Sequence, residues 1–292
     1  MNLRRILLSR AKNVGILRRM YRGIKERKLI AALEEGLEHQ RALPKAAYLQ
    51  QQTGRFEPRE IDVASAAGIA DSPSMHIYFS IERTGDKLRI TDQVPDTNFH
   101  TRQRMLATAY GLLQPAAGQT LCDLGGSNGY YSFLAAPYGF QCTVVDPRPE
   151  HEQQFGFIRD QLGGSRDVTF VLGDLDTVRE RSFDIVMTQG LLYHLYDHLG
   201  FMKEVHRIAT KAVILETELS GEGPFRNLVK VEDVGDLRMG TGGLAGYPGY
   251  GAVLALVRAA GFRRTVRIGH PNDEKDLHGY ELGRRIMLLC FK

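Results

Sequence analysis

From position 121 to 219 the chain alternates short apolar runs with longer segments of mixed polarity. The runs at 121–124, 141–145, 168–172, 183–188 and 212–219 are rich in Val, Ile and Leu and show little polar alternation. That pattern is expected of strands covered on both faces. The segments between them, 130–136, 150–162 and 198–209, read as helices, and a helix over 101–113 precedes the first run. Strand and helix in turn predict a parallel sheet wrapped by right-handed crossovers. A last helix at 251–260 and two closing strands at 262–268 and 285–291 complete the pattern. Further upstream, 31–60 continues helical and breaks near Pro44, Gly54 and Pro58. Residues 61–70 read as a short helix, and 76–82 with 87–91 as a hairpin turned at 84–86. The glycine-rich stretch 221–249 is too long for a plain connector and reads as a lid or acceptor loop.

Length and composition narrow this picture. With 292 residues and 43% hydrophobic positions, the chain can bury one large core with an appendage. No run approaches the roughly 18 apolar residues of a membrane span. Cys122, Cys142 and Cys290 all fall in apolar runs. An odd count without framework spacing points to small buried side chains in a reducing, cytoplasmic setting.

The net charge of +4 is unevenly spread. Residues 1–30 carry ten Lys or Arg against the single acid Glu26, which leaves the remainder mildly acidic. Leu3, Leu7, Val14, Leu17, Tyr21 and Ile24 follow helical spacing between those basic residues. Such a helix can lie on an anionic membrane surface, hold nucleic acid, act as a transit peptide or dock on the core. The expected organisation is a basic amphipathic helix at 1–30, a helical and hairpin extension at 31–100, and the α/β domain at 101–292.

The chemistry gathers at the strand ends. Asp123 closes the first strand, and Gly125, Gly126, Ser127, Asn128 and Gly129 form a turn into the next helix. A strand, a glycine turn and a helix start make a backbone cradle for a nucleotide-like cofactor. A dinucleotide fingerprint would place glycines at 127 and 130, where Ser127 and Tyr130 stand, which disfavours a nicotinamide oxidoreductase. Asp146 ends the second strand 23 residues after Asp123, placed to accept from both ribose hydroxyls. Asp174 follows the third strand, where it can serve as a helix N-cap. The fourth strand runs into Gln189-Gly190-Leu191-Leu192-Tyr193-His194 at the carboxyl end of the sheet, where open α/β folds bind ligands.

The D-x-G-x-S-x-G turn resembles motif I of the class I S-adenosylmethionine-dependent methyltransferases, with Ser127 at the usual middle glycine. The G-L-L-Y-H stretch is similar to a loop in methyltransferases related to the tRNA wobble-uridine carboxymethyltransferases and in glycan and small-molecule methyltransferases. The resemblance implies a Rossmann-like three-layer sandwich with a seven-stranded, mostly parallel sheet. It implies S-adenosylmethionine as cofactor, with Asp123, Gly125, Gly126, Ser127, Asn128 and Gly129 shaping the methionine site and Asp146 on the ribose. Asp174 and Leu175 would face the adenine, and Gln189 and Tyr193 the methionine end.

His194 is the candidate base for a hydroxyl acceptor and equally a structural histidine, with His100 and Glu216 as weaker alternatives. His194 and His198 are four apart, but no third ligand follows at metal spacing, so no metal is expected. Tyr247 and Tyr250 are aromatic candidates for an acceptor wall. The expected activity is O-methylation of a small molecule or surface-glycan sugar by an enzyme that is cytoplasmic and peripheral to membrane through 1–30. The absence of a basic belt on the core disfavours nucleic acid, a homodimer is an allowed assembly, and the rivals are a tRNA-modifying methyltransferase and a catalytically silent partner subunit.

Overall fold

A computed structural model describes residues 22–45, 47–48, 59–62, 66, 68–69, 75, 80–91, 98–161, 167–271, 273 and 279–292. Residues 1–21 of the amphipathic helix expected at 1–30, and half of the helix expected at 61–70, lie outside the described residues. The first described element is helix α1 over 22–34.

The main sheet has eight strands: β1 (Leu37–Arg41), β5 (Gln119–Leu124), β6 (Phe140–Asp146), β7 (Val168–Leu172), β8 (Phe183–Gln189), β9 (Ala209–Glu218), β12 (Arg264–Gly269) and β13 (Arg285–Phe291), in the order β1-β12-β13-β9-β8-β5-β6-β7. Strands β5 to β9 are parallel where they pair. Strand β13 runs antiparallel to both β9 and β12, which is the reversed closing hairpin expected of the fold.

The eighth strand corrects the expected count of seven, and it also corrects the helical reading of 31–60. Strand β1 is short and polar, with four of its five residues exposed. It has no apolar face to announce it and exists because it pairs in parallel with β12. The exposed Arg264–Glu38 ion pair bridges the two strands. A second departure lies upstream. Arg59–Asp62 is strand β2, which joins β3 (Ser80–Thr84) and β4 (Lys87–Thr91) in a separate three-stranded sheet, where 61–70 had read as helix.

Helices α2 (Asn98–Leu113), α3 (Tyr130–Ala135) and α4 (Pro149–Gln161) cover one face of the sheet, burying Met105, Tyr110, Phe133 and Phe155 against Val144 and Ile185. Helices α5 (His198–Ile208) and α6 (Tyr250–Ala260) cover the other, with Met202, Val205, Val253 and Val257 against Val186 and Val213. Helix α5 buries His198, Met202, Val205 and Ile208 at helical spacing, and the Asp197 side chain accepts the Gly200 amide at 2.9 Å as its N-cap. The three cysteines are buried and unpaired with one another. Among the described residues no helix is long and apolar enough to cross a membrane.

The glycine-rich region is not structureless. Asn227–Val231 (β10) and Leu244–Pro248 (β11) form an antiparallel hairpin. The loop between them is closed at its base by the Glu232 amide donating to the Gly243 carbonyl at 3.0 Å.

Candidate active site

A cleft of about 870 Å³ opens at the carboxyl ends of β5, β6, β7 and β8. Its first wall is the turn after β5. The Gly125 amide donates to the Val145 carbonyl at 2.9 Å, which seats the turn on β6. Gly125 has φ +67°, and a Cβ there would meet Leu191 at 2.9 Å; at Gly126 one would meet Asp123 and Val144 at 2.8 Å. Gly125 is therefore favoured by its positive φ, and Gly126 by close approach. Ser127 adopts φ +50°, a left-handed conformation its type rarely takes.

Asp146, 5% exposed, holds this turn in place. Its Oδ2 accepts the Ser127 amide at 3.0 Å, and its Oδ1 accepts the Arg148 amide at 3.1 Å and lies 2.8 Å from His151 Nδ1. The next loop is tied to the same strand end, because the Gly173 amide donates to the Asp146 carbonyl at 3.0 Å. Asp174 is exposed and caps the turn after it, its Oδ1 accepting the Asp176 amide at 3.0 Å.

Of the residues singled out from sequence, Gly125, Ser127, Asp146, Asp174, Leu175, Gln189, Tyr193 and His194 line the cleft. Asp123, Gly126, Asn128 and Gly129 stand behind it. Asp123 is 1% exposed, its Oδ2 accepts the Ser132 hydroxyl at 2.9 Å, and burial pushes its carboxyl up to about 7. The Asn128 amide nitrogen lies 3.4 Å from Gln154 Oε1. Gln189 is 9% exposed, and among the described residues neither its amide nitrogen nor its oxygen has a hydrogen-bond partner. A buried amide lining a cleft with both ends unsatisfied calls for a polar ligand.

His194, on the cleft wall, is backed by a buried carboxylate. His194 Nδ1 lies 2.8 Å from Glu232 Oε2 and 2.9 Å from Oε1. Glu232 also accepts the Gly240 amide at 2.9 Å and the Tyr247 hydroxyl at 3.4 Å, and its side chain is 4% exposed. With Nδ1 engaged as donor, the lone pair of His194 falls on Nε2. Glu232 was not foreseen from sequence. It lies 38 positions from His194 inside the glycine-rich region, and no spacing signal links them.

The other sequence candidates separate from this pair. Glu216 is fully buried between Arg285, whose Nε donates at 2.7 Å, and the Tyr280 hydroxyl at 3.0 Å, with Arg102 at 3.6 Å. Against the penalty of burial, the two guanidinium charges hold its carboxyl at about 2, so it takes up no proton near neutral pH. His198 is buried and absent from the cleft wall, and desolvation pushes its imidazole down. His100 sits on α2, its side chain outside the described residues. Tyr247 faces the cleft, 5.2 Å from the Tyr193 ring, whereas Tyr250 turns to Glu34 at 2.8 Å. Among the described residues no group of three His, Cys, Asp or Glu side chains is set to hold a metal ion.

The residues present fit S-adenosylmethionine. The glycine turn and the Asp146 carboxylate line the cleft together, and Gln189 leaves a buried amide unsatisfied among the described residues.

The wider comparisons agree with this geometry. Residues 122–215 match the family model described as a methyltransferase domain. A tRNA U34 carboxymethyltransferase of Dichelobacter nodosus is 28% identical over 137 residues, covering 46% of this chain and 42% of that protein. The chain thus spans less than half the length of this curated relative. Among solved structures, the N-terminal domain of EvdMO1 with SAH bound superposes with a TM-score of 0.52 at 18% identity, covering 67% of this chain and 84% of that one. The same domain in the presence of SAH and D-fucose gives 0.52 at 16% identity, with 75% and 91% coverage. Strand order, glycine turn and sequence match coincide on the same residues, and the chain carries a class I, Rossmann-like methyltransferase domain.

Proposed function

We propose that this protein transfers a methyl group from S-adenosylmethionine to a hydroxyl of a small molecule or surface-glycan sugar, with His194 as general base. The observation that carries the reading is His194, backed by Glu232, on the wall of the same cleft that holds the glycine cradle. In the bound state Asp146 receives the ribose hydroxyls, Asp174 and Leu175 flank the adenine, and Gln189 and Tyr193 border the methionine end. S-adenosylmethionine supplies an activated methyl group there, so the protein's work is to align the acceptor and exclude water. His194 Nε2 takes the hydroxyl proton, and Glu232 fixes the tautomer and steadies the imidazolium that results. The Tyr193 and Tyr247 rings suit the face of a sugar. Residues 1–30 would add a contact to an anionic membrane surface, and a homodimer is compatible with the mostly exposed strand β10.

A second reading is modification of tRNA, favoured by the U34 carboxymethyltransferase relatives. Methyl-labelled S-adenosylmethionine offered with a panel of sugars and with total tRNA separates the two. Label on a sugar, lost roughly 10²- to 10⁴-fold in His194→Ala, supports the proposal. Label on tRNA with a steep decline between 50 and about 200 mM salt replaces it. Cofactor binding with no transfer to any acceptor would make the protein a silent partner.

A further inference from the structure

Arg148 lies two residues beyond Asp146, is 9% exposed, and its side chain reaches into the loop between β10 and β11. Its guanidinium donates to the carbonyls of Val234 at 3.2 Å, Asp236 at 3.0 Å and Met239 at 2.9 Å. The residue after Met239 is Gly240, whose amide donates to Glu232 Oε2. The stretch Met239–Gly240 is therefore gripped from two sides, by Arg148 from the cofactor strand and by Glu232 from the base of the loop. Gly240 sits tightly against the histidine, since a Cβ there would meet His194 Cβ at 3.0 Å and Glu232 Oε2 at 3.1 Å.

We propose that Arg148 is a positioning residue: by strapping residues 234–239 to the end of β6 it sets Glu232 against His194, and so links the strand end that carries Asp146 to the base. The inference rests on the reading of His194 as base, but its geometry can be tested without turnover. Three carbonyl acceptors around one guanidinium define a site that Lys, a single ammonium point, satisfies only in part. Because the Arg148 amide also donates to Asp146 Oδ1, the strap and the sugar carboxylate share one short segment of backbone.

Among the described residues the charged and titratable groups around His194 are Glu232 on Nδ1, Tyr193 beside the ring, Tyr247 on Glu232 with Lys230 over its own ring, and Arg285 over Tyr193. Glu232 is the group on the imidazole nitrogen, so its displacement leaves Nδ1 without the acceptor that fixes the Nδ1–H tautomer. The test follows the His194 ring nitrogens by NMR in the full chain with S-adenosylhomocysteine bound, at one fixed, mildly alkaline pH, and reads the share of the ring protonated at Nδ1. Arg148→Met is expected to lower that share, in the same direction as Glu232→Gln. The effect of Arg148→Met should nearly vanish when Glu232→Gln is already present. Arg148→Lys should fall between, and it serves as the second variant where Arg148→Met does not fold. Affinity for S-adenosylhomocysteine by calorimetry should change less than about threefold, a difference of under 1 kcal/mol. An Nδ1–H tautomer share unmoved by Arg148→Met and Arg148→Lys while Glu232→Gln lowers it would overturn the positioning role. Loss of S-adenosylhomocysteine binding by the wild type would instead overturn the methyltransferase reading.

Discussion

The backbone amide of Ser127 donates to Oδ2 of Asp146 at 3.0 Å, joining the turn after the first core strand to the end of its neighbour. One carboxylate thus shapes the cradle and also borders the cleft. A charge-assisted bond of this kind, made at a 5% exposed side chain, is among the stronger polar contacts a domain contains. Asp146→Ala is expected to weaken binding of S-adenosylhomocysteine at least tenfold, about 1.4 kcal/mol. It should also lower stability by about 1–3 kcal/mol, because the Ser127 and Arg148 amides lose their acceptor. Calorimetry and urea unfolding report the two effects separately, and unchanged affinity with reduced stability would confine Asp146 to a structural role.

Ser127 has a conformational consequence of its own. Its φ of +50° places a residue with a Cβ in the left-handed region, at a cost of about 1–3 kcal/mol. Glycine removes that strain but adds backbone entropy to the unfolded chain, about 0.5–1 kcal/mol. The first term is the larger, so Ser127→Gly should leave the protein as stable or raise its unfolding free energy by up to about 2 kcal/mol. Ser127→Val, with a branched Cβ in the same conformation, should destabilise it. A urea midpoint that fell in the glycine variant would mean that the serine hydroxyl matters more than the backbone.

These two residues show why the core of the site is legible in sequence. The glycine turn, Asp146 and the strand running into Gln189 are each written in a few consecutive positions, at the ends of strands that are neighbours in the sheet. Strand β1 and Glu232 are written differently. Leu37–Arg41 is a strand only because β12 offers an open edge, and its own polar pattern argues for nothing. Glu232 becomes a partner of His194 through a hairpin and an arginine strap, contacts that join distant parts of the chain and leave no periodic trace. The same distance effect explains Glu216, whose place late on a core strand resembled that of a base until two arginines were found around it.

Asp123 ties stability to pH. Burial is the main cause that raises its carboxyl to about 7, with the nearby Asp146 charge adding to it and the Ser132 hydroxyl opposing. The folded state therefore holds a proton between about 4 and 7 that the unfolded chain releases. Where the native state binds more protons, stability falls as pH rises, by about 1.4 kcal/mol per pH unit at most for one group. The contribution is fully present below pH 4 and lost by pH 8. Asp123→Asn should remove this decline, so that its stability relative to wild type improves steadily from pH 4 to pH 8 in urea titrations. Parallel profiles for the two proteins would show that Asp123 is ionised in the folded state.

Glu216 and Arg285 make the opposite case. The Arg102 and Arg285 guanidinium groups outweigh desolvation and hold the Glu216 carboxyl at about 2, well below its ordinary value of 4.5. The folded-state value is depressed, so this carboxylate stabilises the fold above pH 4.5, and the contribution drains away as pH falls toward 2. Glu216→Gln leaves two arginines packed around a neutral amide, which should cost about 3–5 kcal/mol at pH 7. The deficit should narrow at pH 3, where the unfolded wild type already carries the proton and the native ion pair gains less. Adding Arg285→Met to Glu216→Gln removes one stranded cation and should restore part of the loss. Urea unfolding of the three proteins at pH 7 and pH 3 measures each step. A double variant no more stable than Glu216→Gln would mean that the charge on Arg285 is satisfied by Glu218, 3.2 Å from its Nη1, and that Arg102 alone depends on the buried carboxylate.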